Sequence, residues 1–211
     1  MLLSLEKNFI FIHIPKTAGS SITHALWRWS LKPEKTQWRR LLSHLPVPEA
    51  PEKANFNQHD KAAWLRRKLP GPLYDSAYKF AVVRNPFDLV VSNYHHLRRK
   101  TTRRRHRQAL GWDFRTFLRY LERKNRLSRV DQTSWILGRD GSVIIDQILR
   151  FEALAEEFNA LTEKLGLPKD IKLPRVNVNE PFDYRAHYDD EAKAVVERLY
   201  ARDFERFGYA F

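Results

Sequence analysis

The 211-residue sequence contains no cysteine and one methionine. Without cysteine there is no disulfide, no thiolate metal site and no thiol nucleophile. No apolar run approaches the ~18 residues that span a bilayer. The first residues lack the longer apolar stretch and small-residue cleavage site of a secretory signal, so the cytoplasm is the simplest expected location. There is no internal repeat, no low-complexity linker and no cluster spaced like metal ligands. His95 and His96 are adjacent, diverge on a helix and cannot chelate one ion, so no metal is expected. The G-x-x-x-x-G-K-[ST] loop of nucleoside triphosphate kinases is also missing, which disfavours that class without disfavouring a nucleotide.

What is present suits one domain. The content is 43% hydrophobic and 13% aromatic, that of a globular chain with a sizeable core. The net charge is +13 and unevenly placed: residues 1–110 hold 21 basic and 7 acidic side chains, residues 111–211 hold 17 and 18. The field of the first half attracts polyanions, and nucleic acid, anionic glycans, acidic lipid headgroups and a multiply charged nucleotide all qualify.

The chain is organised around FIFIHIPKTAGSSI, residues 9–22. An apolar, β-branched run over 9–14 predicts a strand. It stops at Pro15, and helical spacing resumes at Ser20 and Ser21 with Ile22, Ala25, Leu26 and Trp29. A strand-turn-helix corner leaves the first N–H groups of the helix facing the loop, where the positive end of the helix dipole favours an anion. Lys16 adds a cation, Thr17, Ser20 and Ser21 add hydroxyls, and Ala18 and Gly19 complete the turn. The alternative for these residues is an ordinary corner with a surface lysine and a serine cap.

A second corner follows. Pro33 marks a break, and Thr36–Leu45 has the pattern of a short amphipathic helix. Residues 46–58 read as loop, and His59 stands before a helix that Asp60 can cap. Pro70-Gly71-Pro72 is a stop, and Lys79–Val83 is a fully buried type of strand. Arg84 lies at its end, Asn85 is an N-cap and Pro86 the first helical residue, with Phe87, Val90, Val91 and Tyr94 inward and Ser92 off that stripe. The fork of Arg84 suits a phosphate, with Ser92 two turns further on. Singly, Arg84 reads as a salt-bridged edge residue and Ser92 as an exposed serine.

IPKTAGSS resembles the 5′-phosphosulfate loop of sulfotransferases that use 3′-phosphoadenosine 5′-phosphosulfate (PAPS), in the branch that includes heparan sulfate 2-O-sulfotransferase and bacterial relatives. VVRNPFDLVVSNYHH is similar to that family's 3′-phosphate motif, R-[ND]-P-x-[DE]-x-x-x-S-x-Y. The resemblance covers nearly the whole chain, though only these two motifs are specific. It implies that residues 16–21 hold the 5′ end of the donor and Arg84 and Ser92 its 3′-phosphate, with 3′,5′-ADP as the product. It implies that Lys16 stabilises the leaving oxygen and that a histidine between the motifs is the general base. His59 fills that place, with His44 in reserve. A hydroxyl acceptor of carbohydrate type follows from the resemblance; an anionic glycan or a lipid headgroup at a membrane surface fits the charge. Relatives carry a histidine before Val-Asn where this chain has Arg175.

The remaining segments are less specific. Residues 98–107 hold seven Lys and Arg, either a solvated run or an acceptor-binding loop. Trp112 to Leu121 has the spacing of a core helix. Residues 139–142 read as a hairpin turn between 135–137 and 143–145. A helix is expected to begin at Arg150-Phe151-Glu152 and to end at Gly166, and one more to follow Asp189. The expected architecture is a single α/β domain with a central parallel sheet, helices on both faces, and P-loop-like phosphate corners at strand ends. A basic nucleic-acid or surface-binding protein would explain the charge but not the two corners, and a P-loop-like small-molecule kinase would need magnesium and ATP.

Overall fold

Two apolar segments, β2 and β3 below, are buried along nearly their whole length, and the sheet is built on them. The computed structural model describes residues 1–32, 45, 48–52, 56–99, 106–174 and 183–211. In chain order these form β1 (Leu2–Ser4), β2 (Phe9–Ile12), α1 (Gly19–Leu26), α2 (Ala62–Lys68), α3 (Gly71–Ser76), β3 (Tyr78–Val83), α4 (Pro86–Arg99), α5 (His106–Leu110), α6 (Phe114–Leu127), α7 (Thr133–Ile136), β4 (Gln147–Arg150), α8 (Leu154–Lys164), α9 (Asp190–Leu199) and α10 (Ala201–Phe207). Most of the helix expected over 36–45, His44, residues 100–105 of the basic run, and Arg175 lie outside the described residues. The chain divides into two compact units, Met1–Val83 with Trp135–Val178, and Arg84–Ser134 with Asn179–Phe211.

The first unit holds a four-stranded sheet in the order β1-β2-β3-β4. β1 runs antiparallel to β2, while β2–β3 and β3–β4 are parallel, with Phe11 opposite Phe80 and Val83 opposite Arg150. The pleat sends Phe9, Phe11, Phe80 and Val82 to one face, against Ile22 and Leu26 of α1 and Phe158 and Leu161 of α8. Ile10, Ile12, Ala81 and Val83 alternate with these and are equally buried. Burial on both faces is why the strands read as continuous apolar runs. The result is the expected α/β architecture, with a mostly parallel sheet flanked by helices.

The differences from expectation are local. β2 ends at Ile12, two residues early, because Ile14 N–H turns back to the Ile12 carbonyl at 3.2 Å. Asp60 does not cap α2; its carboxylate accepts from the backbone and side-chain amides of Asn57, closing a turn. The Pro70-Gly71-Pro72 stop also starts α3. The expected hairpin shrinks to one bridge, Leu137 to Val143, because Trp135 and Ile136 belong to α7. Arg150 is the last residue of β4, and a 3-10 turn over Phe151–Ala153 separates it from α8. Gly166, at φ 60°, ends that helix as expected.

In the second unit Asn85 is the N-cap of α4, its Oδ1 accepting from Phe87 N–H at 3.0 Å. Phe87, Val90 and Tyr94 pack on Phe117, Leu118 and Leu121 of α6 and on Ala192, Val196 and Leu199 of α9. Ser92 is buried at 3% exposure, not on an open face. The single last helix expected is two, broken at Tyr200. Asp203 of α10 is fully buried and accepts from Gln132 N–H (2.8 Å), Gln132 Nε2 (3.2 Å), Thr133 N–H (2.8 Å) and Thr133 Oγ1 (2.7 Å). Burial pushes the Asp203 carboxyl pKa up, against the opposing pull of these bonds.

Asp203→Ala strands several buried donors at once. It should lower unfolding stability in urea by about 3 kcal/mol. A loss below ~1 kcal/mol would show that the network carries little.

Candidate active site

Beyond Ile12 the backbone folds tightly, with Lys16 (φ 69°) and Ala18 (φ 61°) both left-handed. Ala18 is the N-cap of α1 without a side-chain cap, so the serine-cap alternative does not hold. The Ala18 carbonyl accepts from Ser21 N–H at 2.9 Å and Ile22 N–H at 3.1 Å. The N–H groups of Thr17, Ala18, Gly19 and Ser20 have no hydrogen-bond partner among the described residues. Four successive unpaired N–H groups at a helix start form a concavity for an anion. Thr17 is fully buried and its hydroxyl donates to the Ile14 carbonyl at 3.0 Å, so it closes the turn. Ser21 is buried, while Lys16 and Ser20 are half-buried.

His13 stands at the strand end, not inside the strand. Its ring stacks on Phe11 at 5.6 Å and is 3% exposed. The ring lies directly against Gly19, where a Cβ would overlap Nε2 and Cδ2. Glycine is required there by close approach. His59 is exposed and meets His13 edge-on, ring centroids 4.6 Å apart. Its Nδ1 lies 3.0 Å from the His13 carbonyl. A carbonyl only accepts, so Nδ1 carries the proton and Nε2 the lone pair. Trp135 packs edge-on against His59 at 6.1 Å, with Lys61 Nζ 5.7 Å from the Trp135 ring centre. The structure thus brings the loop, His13 and His59 together in the first unit.

In the second unit Arg84 follows directly on β3. Its Nε and Nη2 each donate to Asp88 at 2.7 Å, a two-bond ion pair one helical turn long. Gln132 holds the Arg84 backbone from both sides, Oε1 accepting its N–H at 2.9 Å and Nε2 donating to its carbonyl at 2.8 Å. Asp203 in turn fixes Gln132, so the arginine is oriented by a chain of buried bonds.

The description Sulfotransferase family belongs to a family model that matches residues 1–210. The chain belongs to the sulfotransferase family. The fold agrees: a crystal structure of mouse sulfotransferase SULT7A1 complexed with PAP superposes with a TM-score of 0.52 at 12% identity, covering 97% of this chain and 86% of that one. A sulfotransferase from Alicyclobacillus acidocaldarius is 16% identical over 97% of this chain and 96% of its own, with a TM-score of 0.47. No curated protein matches the sequence.

The partners that hold Arg84 in the second unit were not assigned from the sequence. Asp88 had a usable signal, an acid one turn after Arg84. Gln132 and Asp203 had none, being 71 positions apart. A cleft of about 670 Å³ is lined by Ser20, Thr23, His24, Trp27, Arg28, Lys32 and Gln58. It runs from the anion loop along α1 to the neighbour of His59. Among the described residues no three or more metal-ligating side chains cluster, and no helix is long and apolar enough to cross a membrane.

Burial lowers the His13 pKa to about 3, with help from the Met1 ammonium and His59. An unfolded histidine titrates near ~6.5. Between those values the unfolded chain holds the proton and the native one does not, so acidification removes stability from this group at ~1.4 kcal/mol per pH unit. Native protein should therefore lose urea resistance faster below pH ~6.5 than His13→Gln, which lacks that titration. Parallel curves would contradict this.

Proposed function

We propose that this sulfotransferase moves the sulfuryl group of PAPS to a hydroxyl of a carbohydrate-like acceptor, with residues 1–211 working as one sulfotransferase domain. The four unpaired N–H groups where α1 begins are the observation that carries the donor reading. The family match and the PAP held by the mouse neighbour support it. PAPS supplies an activated sulfuryl group on its 5′-phosphate. Residues 16–21 hold that end, and Arg84, already oriented by Asp88 and Gln132, takes the 3′-phosphate with Ser92.

Lys16 is assigned to the bridging oxygen, where charge grows as the S–O bond breaks. His59 receives the acceptor's proton on Nε2 as the new O–S bond forms, because its Nδ1–H is committed to the His13 carbonyl. The cleft beside them supports the acceptor class. Trp27, 48% exposed, offers a flat face for a sugar ring, and His24, Arg28 and Lys32 form a basic rim suited to anionic substituents.

Lys16→Ala should lower kcat by at least ~100-fold with folding intact. His59→Ala should cut kcat and flatten the acid limb of its pH profile while leaving 3′,5′-ADP affinity unchanged. Native turnover in either variant removes that residue from the mechanism.

Arg84→Ala and Ser92→Ala should weaken 3′,5′-ADP binding in calorimetry but barely alter the weaker binding of 5′-ADP. Equal losses for both nucleotides would mean general damage.

A further inference from the structure

Asn85 is held at both ends of its side-chain amide. Its Oδ1 caps α4 by accepting from Phe87 N–H at 3.0 Å, and its Nδ2 donates to the Ala210 carbonyl at 2.8 Å. Ala210 lies in the segment that leaves α10 at Gly208 (φ 64°) and belongs to no helix or strand. Such a segment has no backbone ladder to fix it, so side-chain contacts must. Phe211 supplies them. Its ring meets Phe87 edge-on at 4.9 Å, Tyr188 at 5.7 Å and Tyr184 at 6.0 Å, and Lys193 Nζ lies 4.4 Å from its centre. Edge-on ring pairs and a cation beside a ring are both favourable. The Tyr188 hydroxyl donates to the Phe87 carbonyl at 2.8 Å, so the cage is itself built on the start of α4.

Asn85 directly follows Arg84. The α10 region therefore reaches this dipeptide twice, through Asp203 and Gln132 to the Arg84 backbone, and through Ala210 to the Asn85 side chain. Asp88, which holds the guanidinium, stands in the first turn of the helix that Asn85 caps. A shift of the cap would move the arginine and its carboxylate partner together.

We infer that residues 208–211 are a positioning strap for the 3′-phosphate site: Phe211, seated among Phe87, Tyr184 and Tyr188, keeps the Ala210 carbonyl on Asn85 and so fixes the start of α4 and the Arg84 guanidinium beside it. The inference rests on the donor reading above. Phe211 and Asn85 touch no nucleotide in this role; they act through Arg84. A guanidinium already placed costs a bound phosphate less ordering, and the strap is felt as affinity.

Calorimetry on the full chain uses 3′,5′-ADP and 5′-ADP as probes. Phe211 is 39% exposed, so Phe211→Ala is expected to fold. It should weaken 3′,5′-ADP by about fivefold or more and leave 5′-ADP within about twofold of native. Phe211→Tyr, which keeps the ring, should bind as the native chain does. Asn85→Ser retains a capping oxygen but lacks the amide that reaches Ala210, and should show the same selective loss. Because both changes break one connection, the double variant should lose about as much as the larger single one, not the product of the two.

Unchanged 3′,5′-ADP binding in Phe211→Ala would overturn the inference. So would equal losses for both nucleotides, a loss in Phe211→Tyr as large as in Phe211→Ala, or multiplied losses in the double variant. If the native chain does not prefer 3′,5′-ADP to 5′-ADP, the donor reading itself falls, and the strap with it. A native preference that survives Phe211→Ala removes the strap alone.

Discussion

Between Ile12 and Ser21 successive backbone N–H groups meet no carbonyl among the described residues, and the first unit's anion loop depends on that. It arises because the strand ends early and the helix begins on a left-handed residue, so neither element's ladder reaches the loop. Gly19 and His13 maintain it together. The imidazole occupies the space a side chain would need, and the glycine lets the ring lie under the first turn of the helix. A larger residue at position 19 would move the ring, and with it the carbonyl that sets the tautomer of His59.

The second unit meets a different constraint. An arginine at a strand end has many rotamers, and a bound phosphate would have to select one. Asp88 removes that freedom through two parallel bonds, and Gln132 removes the freedom of the backbone beneath. Asp203 is the anchor of this arrangement. Its burial is tolerated because four donors converge on it.

What could be read from the sequence was local. The corner at Pro15, the Asn85 cap, the Gly166 stop and the apolar stripe of α4 each depend on residues within a few positions of one another. β1 and β4 were missed because three or four residues carry too little periodicity, and Arg150 looked like a helix start because its strand partner, Val83, is far away in sequence. Ser92 looked exposed because its burial depends on neighbours from elsewhere in the chain. Thr17 looked like an outward donor because its nearest acceptor, the Ile14 carbonyl, becomes available only once the turn is formed. The His13–Gly19 contact spans six residues, but only the turn between them reveals it.

The left-handed backbone at Lys16 and Ala18 bears on speed. Neither residue is glycine, so the unfavourable conformations are adopted when the protein folds and not when a ligand arrives. On the proposed donor reading, a nucleotide would meet a loop whose backbone is already shaped. Capture becomes a matter of diffusion through the positive field of residues 1–110, rapid at low ionic strength and slower as salt screens that field.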